Sequence, residues 1–186
     1  MDKSHIHPDF DHPWCHMILT SPSITITEIP TTAGRPPDMS PDVSNSMFLT
    51  TLYSPSSNAI RAQINFRRST SEADAVTDTE YCYLMSLGDG LDGKRGRAHG
   101  GISSLVLDQM TGTTAAMVSG STAPATATMT VDYKAPVDTP GVVLCRGWVV
   151  ERSGRKTWVR AQIEDGEGRC LASAKALFIS PREGKI

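Results

Sequence analysis

The chain has 186 residues, 39% of them hydrophobic, which suits one domain of ordinary size with its own core. Eighteen basic against twenty acidic side chains leave a formal charge of −2, so no overall positive field exists to select nucleic acid or an anionic membrane. The four cysteines, Cys15, Cys82, Cys145 and Cys170, form neither a CxxC pair nor a small-domain framework, and they read as reduced thiols in a cytoplasmic setting.

The N-terminus, "MDKSHIHPDFDHPWCHM", is polar and histidine-rich where a signal peptide would be basic and then apolar. No run approaches the roughly 18 apolar residues of a membrane span. His5, His7, His12, Cys15 and His16 make one cluster with metal-ligand chemistry, but the spacing fits no zinc pattern and Pro8 and Pro13 interrupt it. The expectation is a solvated tail, or a flap near the active site, with no metal. Residues 20 to 46 carry Pro22, Pro30, Pro36, Pro37 and Pro41 among Ser and Thr, a composition that blocks regular helix and sheet and predicts a linker or surface strap. Residues 1–46 are therefore read as an extension and 47–186 as the domain.

Two β-prone segments, "MFLTTLY" and "AIRAQINFRR", flank the turn-rich "SPSSN" and predict a hairpin. "EYCYLMSLGDG" follows as another strand or an irregular approach to the next element. In "RAHGGISSLVLDQMTG" (97 to 112) a helix begins, apolar on nearly every side, with Asp108 among Leu105, Val106, Leu107 and Met110. An ionised group in apolar surroundings costs several kcal/mol unless compensated, so Asp108 needs a partner or a task. "TATMTVDY" then alternates strictly, placing Thr126, Thr128, Thr130 and Asp132 on one face and Ala127, Met129, Val131 and Tyr133 on the other, the period of a half-buried strand. "GVVLCRGWVVER", "KTWVRAQIE" and "RCLASAKALFIS", separated by the turns "SGR" and "DGEG", predict a three-strand meander. A helix apolar on most sides must be wrapped, and a curved antiparallel sheet is the element available, so the fold class is α+β with a sheet around a central helix.

His99-Gly100-Gly101, six further residues, Asp108, and a strand ending "VDYKAP" resemble the hotdog-fold thioesterases of the PaaI-like group over roughly residues 47 to 180. The resemblance implies a hotdog fold and an acyl-thioester hydrolase acting on acyl-CoA or acyl-carrier-protein substrates. Coenzyme A or phosphopantetheine would enter with the substrate, and no separate cofactor is implied. By position, Gly100 is the expected oxyanion donor, Gly101 allows close approach, and Asp108 is the nucleophile or general base. His99 helps position the thioester, and Thr126 stands where members carry a Ser or Thr that orients the attacking water. Several members have an Asn six residues before the histidine; here that position is Gly93.

Elementary chemistry supports the same assignment. Helix N-termini leave N–H groups unpaired beside a partial positive charge, which stabilises a developing oxyanion. A partly desolvated carboxylate supplies base or nucleophile. Lys94, Arg95 and Arg97 in "GKRGR", and Arg152, Arg155 and Lys156 in "ERSGRK", are candidate contacts for coenzyme A phosphates or an acidic carrier protein. Each of these residues also has a plainer reading: Asp108 as a buried acid fixing register, His99 as a ring covering the helix start, Thr126 as a surface hydroxyl, and the basic groups as solvated turns. Ser103 and Ser104 lack a Gly-x-Ser-x-Gly elbow and are not read as nucleophiles.

Gly101 and Asp108 lie two turns apart, roughly 10 Å along one helix, so a single carbonyl carbon cannot meet both in one chain. That geometry predicts a homodimer, or a dimer of dimers, with each site shared between antiparallel helices. Two further functions fit the same residues: release or cyclisation of a carrier-bound polyketide-like chain, and a non-catalytic acyl-binding or assembly module.

Overall fold

A computed structural model describes residues 6–28, 51–52, 57–120 and 124–182. Nine strands and two helices lie along them: α1 (Pro13–Leu19), β1 (Thr25–Glu28), β2 (Ile60–Ser69), β3 (Thr79–Leu87), β4 (Asp92–Lys94), β5 (Arg97–Ala98), α2 (Gly100–Ser119), β6 (Ala125–Tyr133), β7 (Gly141–Ser153), β8 (Lys156–Glu164) and β9 (Cys170–Ile179). Seven strands form one sheet in the order β1-β2-β3-β7-β8-β9-β6, antiparallel at every pairing, while β4 and β5 make a separate small hairpin. The helix α2 lies across one face of the large sheet. This is the hotdog arrangement expected from the sequence.

The helix forms where the period says it should. Its buried residues, Ser103, Val106, Leu107, Met110, Thr111, Thr114 and Ala115, recur at intervals of three and one and make a single stripe against the sheet. Burying Val106, Leu107 and Met110 contributes about 1.5–3 kcal/mol each. The fully buried hydroxyls of Thr111 and Thr114 each donate 2.9 Å back to the carbonyls of Leu107 and Met110. Close packing needs Gly147 on β7, because a Cβ there would sit 2.7 Å from Thr114 Oγ1. Gly120, at φ 69°, ends the helix.

The helix is wrapped less completely than its composition predicts. Leu105, Asp108, Gln109, Gly112 and Ala116 are only half-buried in the single chain. Strand β6 is an edge strand and mostly exposed, with only Met129 and Val131 packed against the core.

Two expectations for the N-terminal region are corrected. Residues 6–28 are no solvated tail: Phe10 and Cys15 are fully buried and, with Leu19, pack on Ala62, Ile64, Phe66, Cys82, Leu84 and Leu144 on the opposite face of the sheet from α2. Three apolar side chains four or five residues apart on a short turn and helix suffice to bury one side of this segment. Asp9 holds it through Arg61, at 3.0 Å, and the Ser86 hydroxyl, at 2.6 Å. Within the stretch predicted to be a strap, Thr25–Glu28 instead forms β1 and pairs with β2; residues 29–46 lie outside the described residues. The predicted strand "MFLTTLY" is described only at Thr51 and Leu52, which sit in a helical turn, and β2 pairs along its length with β3.

Candidate active site

The start of α2 is exposed and built from three consecutive residues. His99 is the N-cap, in extended conformation, and its Nδ1 accepts the Gly101 N–H at 2.9 Å. An imidazole nitrogen thereby takes the place of the usual Ser or Asp oxygen, and it fixes the neutral tautomer with the proton on Nε2. The Gly101 N–H is thus already used. A Cβ on Gly101 would stand 3.0 Å from His99 Nδ1, so this glycine makes room for the cap. The N–H of Gly100 has no partner among the described residues, and Gly100 lines a cavity of about 550 Å3 with His99, Gly93, Lys94, Arg97, Tyr133 and Lys134.

Gly93 itself explains one departure from the family pattern. A Cβ there would come within 2.9 Å of His99 Cα and Cδ2, so this chain has no room for an asparagine beside the histidine. The β4–β5 hairpin that carries Gly93 is pinned by Asp92, whose carboxylate accepts the Gly96 N–H at 2.8 Å and the Thr139 hydroxyl.

Asp108 lies two turns further along, about 12 Å from Gly100 by helix rise. It is half-buried, and Thr126 Oγ1 donates to its Oδ1 at 3.0 Å. Its other oxygen has no protein partner among the described residues. The sequence pairs these two residues for a reason its strict alternation obscures. Between Thr126 and Thr128 the register of β6 against β9 slips by one residue. That bulge turns Thr126 toward α2, while Thr128, Thr130 and Asp132 line a groove on the far face of the sheet. The expectation that Thr126, Thr128, Thr130 and Asp132 share one face is therefore corrected.

The basic candidates separate into two groups within one chain. Lys94 and Arg97 line the cavity beside Gly100, and Arg95 is exposed at the hairpin tip. Arg152, Arg155 and Lys156 sit at the β7–β8 turn, at the end of the sheet where Ala125 and Ile179 pair, near Thr126. Arg155 is partly committed, donating 2.9 Å to the Ser180 carbonyl. Lys134, which the sequence reading passed over, joins the first group.

Among the described residues, no three His, Cys, Asp or Glu side chains gather to hold a metal. His5 lies outside them; His7 caps a turn through the Asp9 N–H, His16 bonds Asp11 at 2.9 Å, and Cys15 points into the core. All four cysteines are free, and burial pushes the Cys15 thiol up to about 11 and those of Cys82, Cys145 and Cys170 above the ordinary value. None is a ready nucleophile. No helix among the described residues is long and apolar enough to cross a membrane.

Residues 95–172, from the β4–β5 hairpin through α2 into β9, match the thioesterase superfamily. The chain is 36% identical over 97 residues to acyl-coenzyme A thioesterase THEM4 of Xenopus laevis, a match covering 52% of this chain and 43% of that relative, so the chain spans less than half of the curated protein it resembles. A solved structure from the thioesterase superfamily, from a structural-genomics programme, superposes with TM-score 0.51 at 25% identity, covering 54% of this chain and 76% of that one. Zebra fish thioesterase superfamily member 2 superposes with TM-score 0.52 at 13% identity over 62% of this chain and 81% of its own, a likeness of fold alone.

Proposed function

We propose that this domain hydrolyses acyl thioesters of coenzyme A or of an acyl carrier protein, in a site completed by a second copy of the chain. The observation that carries this reading is the pairing of an open Gly100 N–H at the start of a 20-residue helix with a half-buried carboxylate, Asp108, two turns along it. The kinship with an acyl-coenzyme A thioesterase supports the substrate class.

In this reading the thioester oxygen accepts the Gly100 N–H, where the helix terminus favours negative charge. Asp108 either takes a proton from water, which attacks the carbonyl carbon, or attacks it directly to form an acyl-aspartyl anhydride that water then hydrolyses; Thr126 holds one carboxylate oxygen so that the other faces the reaction. The tetrahedral oxyanion collapses, the carbon–sulfur bond breaks, and the departing thiolate is protonated. The products are a carboxylic acid and a free thiol, with one water consumed. Lys94, Arg97 and Lys134 at the cavity mouth suit the phosphates of the coenzyme or carrier arm.

A shared site follows from distance. Gly100 and Asp108 of one chain are about 12 Å apart along the helix, whereas reacting groups approach within about 3.5 Å. The half-buried outer face of α2 offers a second copy a surface on which the helices run antiparallel, bringing Asp108 of one to Gly100 of the other and the Arg155–Lys156 turn toward Lys94 and Arg97.

The test is thiol release from short, long and aromatic acyl-CoAs beside one carrier-bound acyl chain. Steady release from CoA esters is expected. Product formed only from the carrier-bound chain points to chain release or cyclisation, and tight acyl binding without turnover to a silent binding module; either outcome rejects hydrolysis of acyl-CoA. Subunit mixing tests the shared site. Asp108→Ala chains exchanged with Gly100→Val chains should recover about a quarter of wild-type activity, since half the dimers are mixed and each holds one intact site.

A further inference from the structure

Beside the Gly100 N–H stands an aromatic ring for which folding gives no account. Tyr133 ends the edge strand β6 and is 57% exposed, so it adds little to the core. Its ring nevertheless sits against the helix start: a Cβ built on Gly100 would stand 3.4 Å from Tyr133 Cε1 and 3.6 Å from Cζ. The phenol oxygen is hydrogen-bonded to Ser104 Oγ. Gly100 and Ser104 are one turn apart, about 6 Å along the axis, so the ring spans the whole first turn of α2. A phenol this exposed would be satisfied by water, and the bond to Ser104 therefore sets orientation rather than meeting a buried need.

We infer that Tyr133, latched by Ser104, is a positioning residue that fixes the thioester group against the Gly100 N–H. The inference rests on the hydrolase reading above. Two rings border the same donor and the same cavity, His99 held through the Gly101 N–H and Tyr133 held through Ser104. The basic side chains Lys94, Arg97 and Lys134 open onto that cavity, so a phosphate-bearing arm entering there passes Gly100 and Tyr133 together. A side chain held in place beside the donor restricts rotation of the thioester, and orientation of the reacting group contributes to turnover more than to binding.

Three variants of the full chain separate this role from a structural one. Tyr133→Phe keeps the ring and loses the latch; Ser104→Ala loses the latch and keeps the phenol, in a helix position where alanine is well tolerated; Ser104→Thr keeps a hydroxyl. With an acyl-CoA that the wild type hydrolyses, Tyr133→Phe and Ser104→Ala should each lower kcat by about tenfold with KM within about twofold. The double variant should lose no more than either single one, because both remove the same bond. Ser104→Thr should restore most of kcat, and affinity for a non-hydrolysable thioether analogue of the acyl-CoA should stay near wild type in all of them. Wild-type kcat in both single variants, losses that multiply, or losses seen only in analogue affinity overturn the inference while leaving the hydrolase reading intact. A wild-type chain that releases thiol from none of the thioesters overturns both.

Discussion

Two polar clusters in this molecule are built on opposite plans. On the sheet face turned away from α2, Arg146 lies between three carboxylates, bonding Glu72 at 2.5 Å, Glu80 at 2.9 Å and Glu164 at 2.7 Å, while Arg68 meets Glu80 at 2.6 Å. Each of the three Arg146 nitrogens has a carboxylate acceptor, and the Glu80 side chain is 3% exposed. Burial works against the Arg146 charge, yet the hydrogen bonds to Glu164 and Glu72 and the fields of Glu80 and Glu164 hold its pKa above the ordinary value. Asp108 and the helix start are the reverse: half-exposed groups, one bond on Asp108, and an N–H at Gly100 without a partner among the described residues. A saturated cluster can hold strands in register but has nothing left to offer a substrate. Spare bonding capacity beside a helix terminus is what chemistry requires.

The contrast is broken most severely on the saturated side. Arg146→Met should cost about 3–5 kcal/mol, because it strands Glu72 and Glu164 with no counter-charge and leaves Glu80 with Arg68 alone; denaturant unfolding measures it, and a loss under about 1 kcal/mol would show the network to be solvated. Next comes Asp108→Asn, expected to reduce turnover by about a hundredfold or more while leaving the unfolding midpoint near wild type. A folded, fully active Asp108→Asn chain removes the carboxylate from the mechanism. Gly100→Val should lose turnover near the 3 kcal/mol scale of one oxyanion donor, whereas Gly100→Ala, whose Cβ meets Tyr133 only at 3.4 Å, should be milder. Equal kinetics for the two would detach the ring from the site. Thr126→Ala, the smallest effect, should lower kcat by about five- to tenfold, within the range of one ordinary, solvent-exposed hydrogen bond; unchanged kcat would make the Thr126 contact incidental.

Much of this was legible from residue spacing. His99, Gly100, Gly101 and Asp108 could be read as a helix start and a carboxylate two turns on because helical geometry is local. The three-strand meander was legible from its turns and β-branched runs for the same reason. Thr126 was found through a resemblance, and the alternation of its own strand placed it with Thr128 and Thr130, on what proves to be the wrong side of the bulge. The Arg146 network was invisible because Arg68, Glu72, Glu80, Arg146 and Glu164 come from β2, the β2–β3 loop, β3, β7 and β8, brought together only by the pairing of those strands. Tyr133 and Ser104 carried no signal either; each is ordinary in its own element.

By itself, then, the sequence determined the order of the elements, the central helix and the groups at its start, since each depends on residues within a few turns of one another. Only the tertiary structure decided that Phe10, Cys15 and Leu19 pack the N-terminal segment onto the sheet, that a one-residue slip aims Thr126 at Asp108, and that Tyr133 lies across the first turn of α2. Those contacts join residues from 18 positions apart, as for Thr126 and Asp108, to more than 100, as between the N-terminal segment and Leu144, and their partners are chosen by which strands pair and in what register, a competition that no local pattern encodes.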